Sequence, residues 1–123
     1  MPEQWRPVRG YEGAYKVCDS GYVESVERDV RGRENSRRHL KGKRLTPRVR
    51  PDGTLAVNLW SENSYRQIPI RRIVLDAFSG PQPRGYDAAN INGDPNDNRL
   101  SNLQWQLDRR LRLIAGMHPV LPR

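Results

Sequence analysis

Cysteine occurs once, at Cys18, histidine only at His39 and His118, and phenylalanine only at Phe78. One thiol excludes an intrachain disulfide, and one cysteine with two distant histidines cannot build a structural zinc site. Cys18 is expected to be a small, partly buried residue rather than a reactive one. Apolar runs extend over only a few residues, too short for a membrane-spanning helix. The opening Met1-Pro2-Glu3-Gln4-Trp5 lacks the apolar stretch of a signal peptide, so retention in the cytoplasm is expected. Acidic side chains are also in short supply, 14 against 22 lysines and arginines.

That imbalance gives a formal net charge of +8 and points to a polyanionic partner. Nucleic acid, an anionic membrane surface and an acidic protein all meet that description. Arginine greatly outnumbers lysine, and its planar fork suits bidentate contacts with phosphate and guanine. With 123 residues the chain suits one domain, which buries roughly 65–70% of its unfolded surface. A mean hydropathy of −0.91 makes the core lean.

Near the N-terminus, Tyr15 and Val17 alternate with polar neighbours, Asp19-Ser20-Gly21 has turn chemistry, and Tyr22 to Val26 resumes an extended pattern. From Arg28 to Arg50 the chain is crowded with Arg31, Arg33, Arg37, Arg38, Lys41, Lys43, Arg44 and Arg48. Such self-repulsion predicts an irregular, flexible loop through about Gly42. Pro51-Asp52-Gly53 then predicts a hairpin turn, and Leu55, Val57 and Leu59 a strand with one buried face. After the polar turn Ser61-Glu62-Asn63-Ser64, a return strand runs from Tyr65 to Ile68. Pro69 opens a helix whose apolar face is Ile73, Val74, Ala77 and Phe78, and Gly80-Pro81 ends it.

Asp87 to Ile91 is extended, and Asn92 to Asn98 is a loop of residues that hydrogen-bond their own backbone. Leu103 and Trp105 predict a second short strand. A last helix follows, with Leu107, Leu111 and Ile114 on one side and Arg109, Arg110 and Arg112 on another, stopped by Gly116. Trp5, Trp60 and Trp105 are expected to anchor the core. The order, antiparallel hairpins, helix, strand, loop, strand, helix, makes an α+β domain.

Two segments resemble the HNH homing endonucleases common in phage genomes. Residues Glu3 to Val17, continuing through Gly21, Val23 and Ser25, look like the modular motif that opens those enzymes. From Ile70 to Trp105, Arg71 to Phe78 resembles the family's helix. Asn90-Ile91-Asn92-Gly93-Asp94, Asn98-Arg99-Leu100 and Asn102-Leu103-Gln104-Trp105 resemble its ββα (His-Me finger) core. The resemblance implies a hairpin motif over 1–26, a basic loop over 27–43, an HNH-like core over 44–116 and a tail over 117–123, in one compact domain. It also implies a bacterial or phage-infected cell.

In that family a histidine ending the first core strand activates water, and a divalent metal is held against the scissile phosphate. By this resemblance the general-base position is Asn90, whose amide cannot accept a proton near neutral pH. A carboxylate-ligand position is Ala89, the aspartate before the glycine is Asn92, the helix ligand falls near Leu111, and Arg71 replaces a helix-opening histidine. Asn102 is retained, in a loop-bracing role. Asp94 and Asp97 are read as turn formers, His39 as solvated or phosphate-facing, and His118 as part of the tail.

The expectation is therefore a double-stranded-DNA-binding pseudo-nuclease rather than an enzyme, with no cofactor and no membrane partner. Its DNA-contacting residues are expected in the 28–50 segment, at Arg71 and Arg72, and in the Arg109, Arg110, Arg112 stripe. A phage-type repressor role follows from binding without cleavage. Base reading is left to the basic segment, the hairpins or a homodimer on a palindromic site, because further C-terminal DNA-reading helices are not expected. Three alternatives stay open: a nicking endonuclease using Asp94 or Asp97 with Mg²⁺ or Mn²⁺, a protein whose basic face inhibits an acidic host factor, and a binder of single-stranded nucleic acid or RNA, the weakest because no aromatic ladder for base stacking is evident.

Overall fold

The computed structural model describes residues 3–114. His118, Gly116 and the tail over 117–123 lie outside the described residues. The fold is α+β, with four small antiparallel sheets around one central helix. The first sheet has the order β1 (Trp5–Pro7), β2 (Tyr15–Cys18), β3 (Val23–Ser25). A hairpin of β4 (Arg28–Arg31) and β5 (Arg37–Leu40) follows. The third sheet is β6 (Arg48–Val49), β7 (Leu55–Ser61) and β8 (Ser64–Pro69). Helix α1 (Ile70–Ser79) leads to the paired strands β9 (Tyr86–Asn90) and β10 (Leu103–Leu107), and α2 (Arg109–Ile114) closes the described chain.

Helix α1 contacts strands from three of the four sheets. Ile70, Ile73, Val74 and Leu75 are buried on it, and Ala77 and Phe78 pack at the margin. The i, i+3, i+4, i+7, i+8 spacing gathers Ile70, Ile73, Val74, Ala77 and Phe78 onto one stripe. Val17, Val23, Val57, Leu59 and Leu103 meet that stripe from the strands. Each fully buried valine or leucine here contributes about 1.5–3 kcal/mol relative to exposure. The helix ends at Gly80, whose φ of 93° lies in the left-handed region. Orphan carbonyls of its last turn accept from N-terminal arginines: Arg6 Nη1 donates to Ala77 O (3.1 Å), and Arg9 donates to Asp76 O (3.3 Å). Pro69 is the cap residue, one position ahead of the helical run.

Two glycines hold separate segments together by close backbone approach. A Cβ on Gly21 would fall 2.8 Å from Asn98 O, and one on Gly42 would fall 2.8 Å from Ser25 O. The first contact, with Leu100 N–H donating to Asp19 O (2.8 Å), locks the β2–β3 turn onto the loop before β10. The second sits where residues 43–45 run along β3, with Ser25 N–H donating to Lys43 O (2.8 Å) and Leu45 N–H to Val23 O (2.9 Å).

Several expectations are corrected. The segment predicted as an irregular loop contains the β4–β5 hairpin, with Asp29 opposite His39 and Arg31 opposite Arg37. Carboxylates offset some of its repulsion: His39 bonds Asp29 through Nδ1 (2.7 Å) and Glu27 through Nε2 (2.9 Å). His39 is thus neither simply solvated nor left to a phosphate. Trp60 is no core anchor, being 51% exposed against Tyr65 with ring centroids 4.9 Å apart. Leu59, the preceding residue on β7, is buried, and Trp60 faces out on the other side of the strand. Leu107 ends β10, while Leu111 and Ile114 on α2 are exposed, so the expected apolar side of the last helix finds no core among the described residues. Cys18 is wholly buried, and burial pushes its thiol pKa up.

The carboxylates beside His39, Asp29 foremost, raise its pKa above the ordinary 6.5. Their stabilisation of the hairpin is complete below the unfolded value and lost as pH rises through the folded one. A ring-proton NMR titration is expected to place His39 above 6.5, and Asp29→Asn to bring it back down. An ordinary midpoint in the unaltered protein would show that the two contacts do not persist in solution.

Candidate nucleic-acid interface

Strand β9 ends at Asn90, which lies opposite Leu103 of β10. Between them the chain makes an Asx-rich loop, a short 3-10 turn (Leu100–Asn102) and a return. Successive side-chain caps shape the loop: Asn92 Oδ1 accepts from Asp94 N–H (2.9 Å) and Asp94 Oδ1 from Asn96 N–H (2.9 Å). Asp94 is therefore a turn former, as its sequence context predicts.

Asn102 is buried at the centre of this loop. Its Nδ2 donates to Asn92 Oδ1 (3.0 Å) and Asp97 O (2.9 Å), and its Oδ1 accepts from Asn92 N–H (3.1 Å). One side chain therefore ties both ends of the loop, the bracing role expected of it. Asn90 makes a comparable set. Its Nδ2 donates to Asp97 O (2.8 Å) and Asn98 Oδ1 (3.1 Å), and its Oδ1 accepts from Arg71 Nη1 (3.0 Å). The Arg71–Asn90 pair joins α1 to β9 across 19 positions of sequence and could not be read from either segment alone.

Asp97 is engaged by Arg99, with 2.8 Å contacts from Nε and Nη2 to its two carboxylate oxygens. That guanidinium, the largest influence, holds the Asp97 carboxyl at about 2. A depressed folded pKa contributes stability above the unfolded value of 3.8 that is lost as pH falls toward about 2. Acid melts are expected to show this loss over that window, and Asp97→Asn to remove that part of the pH dependence. A variant with the same acid profile as the unaltered protein would contradict the assignment.

The donor set does not fit a divalent metal. Asn90, Ala89 and Asn92 occupy positions where the family resemblance calls for a base and carboxylates, and Arg71 brings a cation to the same spot. Among the described residues, no three or more His, Cys, Asp or Glu groups converge as a metal site. Leu111, near the expected helix ligand, lies instead over Gly85.

The basic residues divide into separate surfaces. Arg71, Arg109 and Arg112 line one cleft with Ala89 and Asn90. Lys41, Lys43, Arg44 and Arg48 line another, bordered by Asn58 and the exposed Trp60. Arg31 and Arg37 border a recess on the β4–β5 hairpin, and Arg33 and Arg38 are exposed on the same hairpin. Arg72 faces away from Arg71, toward Asp76 (3.8 Å). Arg44 is occupied by Glu24 (3.1 Å) and stacks over Tyr22 (4.0 Å), so both are less available than their sequence positions suggest. Arg110 is exposed on α2. Sequence reasoning missed Trp60 and Tyr65 as an exposed aromatic pair beside the basic groups. It also missed Gln106, whose amide oxygen, turned toward Arg112, accepts at 2.7 Å.

No described helix is long and apolar enough to cross a membrane. Residues 3–60 match the NUMOD4 motif. The chain is 24% identical over 102 residues to DNA endonuclease I-HmuI of Bacillus phage SP01, covering 83% of this chain and 51% of that protein. It is 35% identical over 64 residues to an uncharacterized HNH endonuclease of Acanthamoeba polyphaga mimivirus, 51% of this chain and 19% of the other. The chain thus spans about half, or less, of the length of these two relatives. The solved structure of the HNH homing endonuclease I-HmuI superposes with a TM-score of 0.68 at 21% identity, covering 95% of this chain and 62% of that one. Motif, sequence and fold together make the chain similar to HNH homing endonucleases.

Proposed function

We propose that this chain binds double-stranded DNA on an HNH-type scaffold and does not cleave it. The observation that carries the reading is Asn90. Its amide stands where the family resemblance calls for the general base, has no proton-accepting nitrogen, and is fully used in holding Arg71, Asp97 and Asn98. Support for the duplex comes from the I-HmuI relative, named as a DNA endonuclease, and from the net charge of +8. The basic side chains face outward on the β4–β5 hairpin, around the Asn90 cleft and on α2.

A protein that occupies duplex without cutting it acts by occupancy, and a repressor-type regulator in a bacterial or phage-infected cell is the role that fits. Phosphate contacts would supply affinity, and base-edge contacts from the hairpins, or a homodimer on a palindromic site, would supply sequence preference. The rival, a nicking endonuclease built on Asp94 or Asp97, has less support: Asp94 caps the loop and Asp97 is held by Arg99. Supercoiled plasmid incubated with the protein and Mg²⁺ or Mn²⁺ is expected to stay intact. Nicking that Asp94→Ala or Asp97→Ala abolishes would overturn the non-cleaving part of the proposal.

A further inference from the structure

The cleft beside Asn90 gathers three guanidinium groups from two helices. Arg71 reaches it from the first turn of α1, and Arg109 and Arg112 reach it from α2. Arg71 uses Nη1 on Asn90 Oδ1 (3.0 Å), which fixes the plane of the fork while its other N–H groups stay available. Arg112 is steered by the Gln106 amide (2.7 Å). Two carboxylates share the wall, Asp52 and Asp87. Asp52 Oδ1 accepts from Thr54 N–H (2.9 Å), and burial, with the neighbouring Asp108 carboxyl, raises the pKa of Asp87. Neither forms an ion pair with the three arginines. The result is a concave cationic wall where the family resemblance calls for a metal-dependent centre.

We infer that this cleft is a metal-independent phosphodiester site, in which Arg71, oriented by Asn90, takes one backbone phosphate together with Arg109 and Arg112. The inference rests on the duplex binding proposed above and assigns the group that replaces a divalent cation. Guanidinium suits the task in two respects. It keeps its charge throughout the working pH range, and its planar fork meets two phosphate oxygens at once. It also has no vacant coordination position, so it cannot bind and acidify a water as a metal does. Phosphate affinity is thereby retained while the means of generating hydroxide is not. The Asn90 amide serves the arginine as a positioning residue.

The test is a fluorescence-anisotropy titration of a labelled duplex over a salt series, in EDTA and then in Mg²⁺ at matched ionic strength. Unaltered protein is compared with Arg71→Gln, Arg71→Lys and the double variant Arg109→Gln/Arg112→Gln. The double variant leaves the core untouched, because α2 buries none of its residues. Unaltered protein is expected to bind equally in EDTA and Mg²⁺. Arg71→Gln is expected to weaken binding about tenfold to a hundredfold and to lower the slope of log affinity against log salt by about 0.9. Arg71→Lys should recover the slope, and the double variant should lower it by nearly twice as much. Unchanged slopes in Arg71→Gln and the double variant, with the unaltered protein still binding, would overturn this inference and leave duplex binding standing. A strict requirement for Mg²⁺ would overturn it as well. Failure of the unaltered protein to bind any duplex would remove both.

Discussion

Asn102→Ala is expected to destabilise the fold by about 2–4 kcal/mol and to lower the melting temperature by roughly 10 °C or more. The side chain is 7% exposed and satisfies three groups at once: Asn92 N–H, Asn92 Oδ1 and the Asp97 carbonyl. Truncation leaves all three without that partner. A buried polar group left unmade costs about 1–3 kcal/mol, and water reaching the exposed Asn92 recovers part of the total. Against a typical domain stability of about 5–15 kcal/mol this is a large fraction. Asn102→Asp keeps the acceptor for Asn92 N–H but loses the amide donor to the Asp97 carbonyl, so an intermediate loss is expected. Asn92→Ala should cost less, because its side chain is already in contact with solvent. Denaturant unfolding of the three variants checks the ranking, and a near-neutral Asn102→Ala would show that the loop holds its shape without the brace.

The second large effect is on binding. Duplex affinity is expected to fall on the order of 10³–10⁵-fold between 50 and 200 mM salt, the response for six to ten neutralised phosphates. The number follows from which cations remain available. Arg6, Arg9, Arg28, Arg44 and Arg99 are spent inside the protein, on helix carbonyls, loop carbonyls or carboxylates. Arg31, Arg33, Arg37, Arg38, Lys41 and Arg48 form no ion pair among the described residues, and neither do Arg71, Arg109, Arg110 and Arg112. If only the Asn90 cleft engages the duplex, the slope corresponds to two or three phosphates and the loss is correspondingly small. Anisotropy across the salt series separates the two cases.

Local signals made much of this fold legible. Turn chemistry at Asp19-Ser20-Gly21 and Pro51-Asp52-Gly53 precedes β3 and β7 in the structure, and the 3.6-residue stripe of α1 is the one buried. The Asx loop behaves as its composition predicts, with Asp94 capping and Asn102 bracing. What escaped was pairing through space. The charge density of residues 28–50 argues against regular structure, yet His39 stands between Asp29 and Glu27, which only the hairpin register brings into reach. Trp60 reads as core by hydropathy, whereas the alternation that buries Leu59 turns its neighbour outward. The Arg9 contact with the end of α1 spans 67 positions, and no local pattern carries it. Arg71 and Arg72 are adjacent in sequence and part company in the fold, one to Asn90 and one to Asp76.

The candidate site was legible in its departures more than in its contacts. Asn90, Ala89 and Asn92 are assigned by resemblance to the motif, through their offsets from the turn Gly93-Asp94. That the Asn90 amide would hold an arginine, and that Arg109 and Arg112 would share its cleft, depended on where α1 and α2 meet β9.

The measurement that most directly tests the central claim is titration of duplex DNA in EDTA, first with random sequence and then with sequences enriched for binding, followed by Mg²⁺ and analysis of the recovered DNA. Salt-dependent binding without metal, tighter for an enriched sequence, and intact strands after Mg²⁺ is added are the predicted result. Strand cleavage on adding metal would contradict the reading of Asn90. Absence of duplex binding, together with stoichiometric capture of an acidic protein at high salt, would contradict the assignment to DNA.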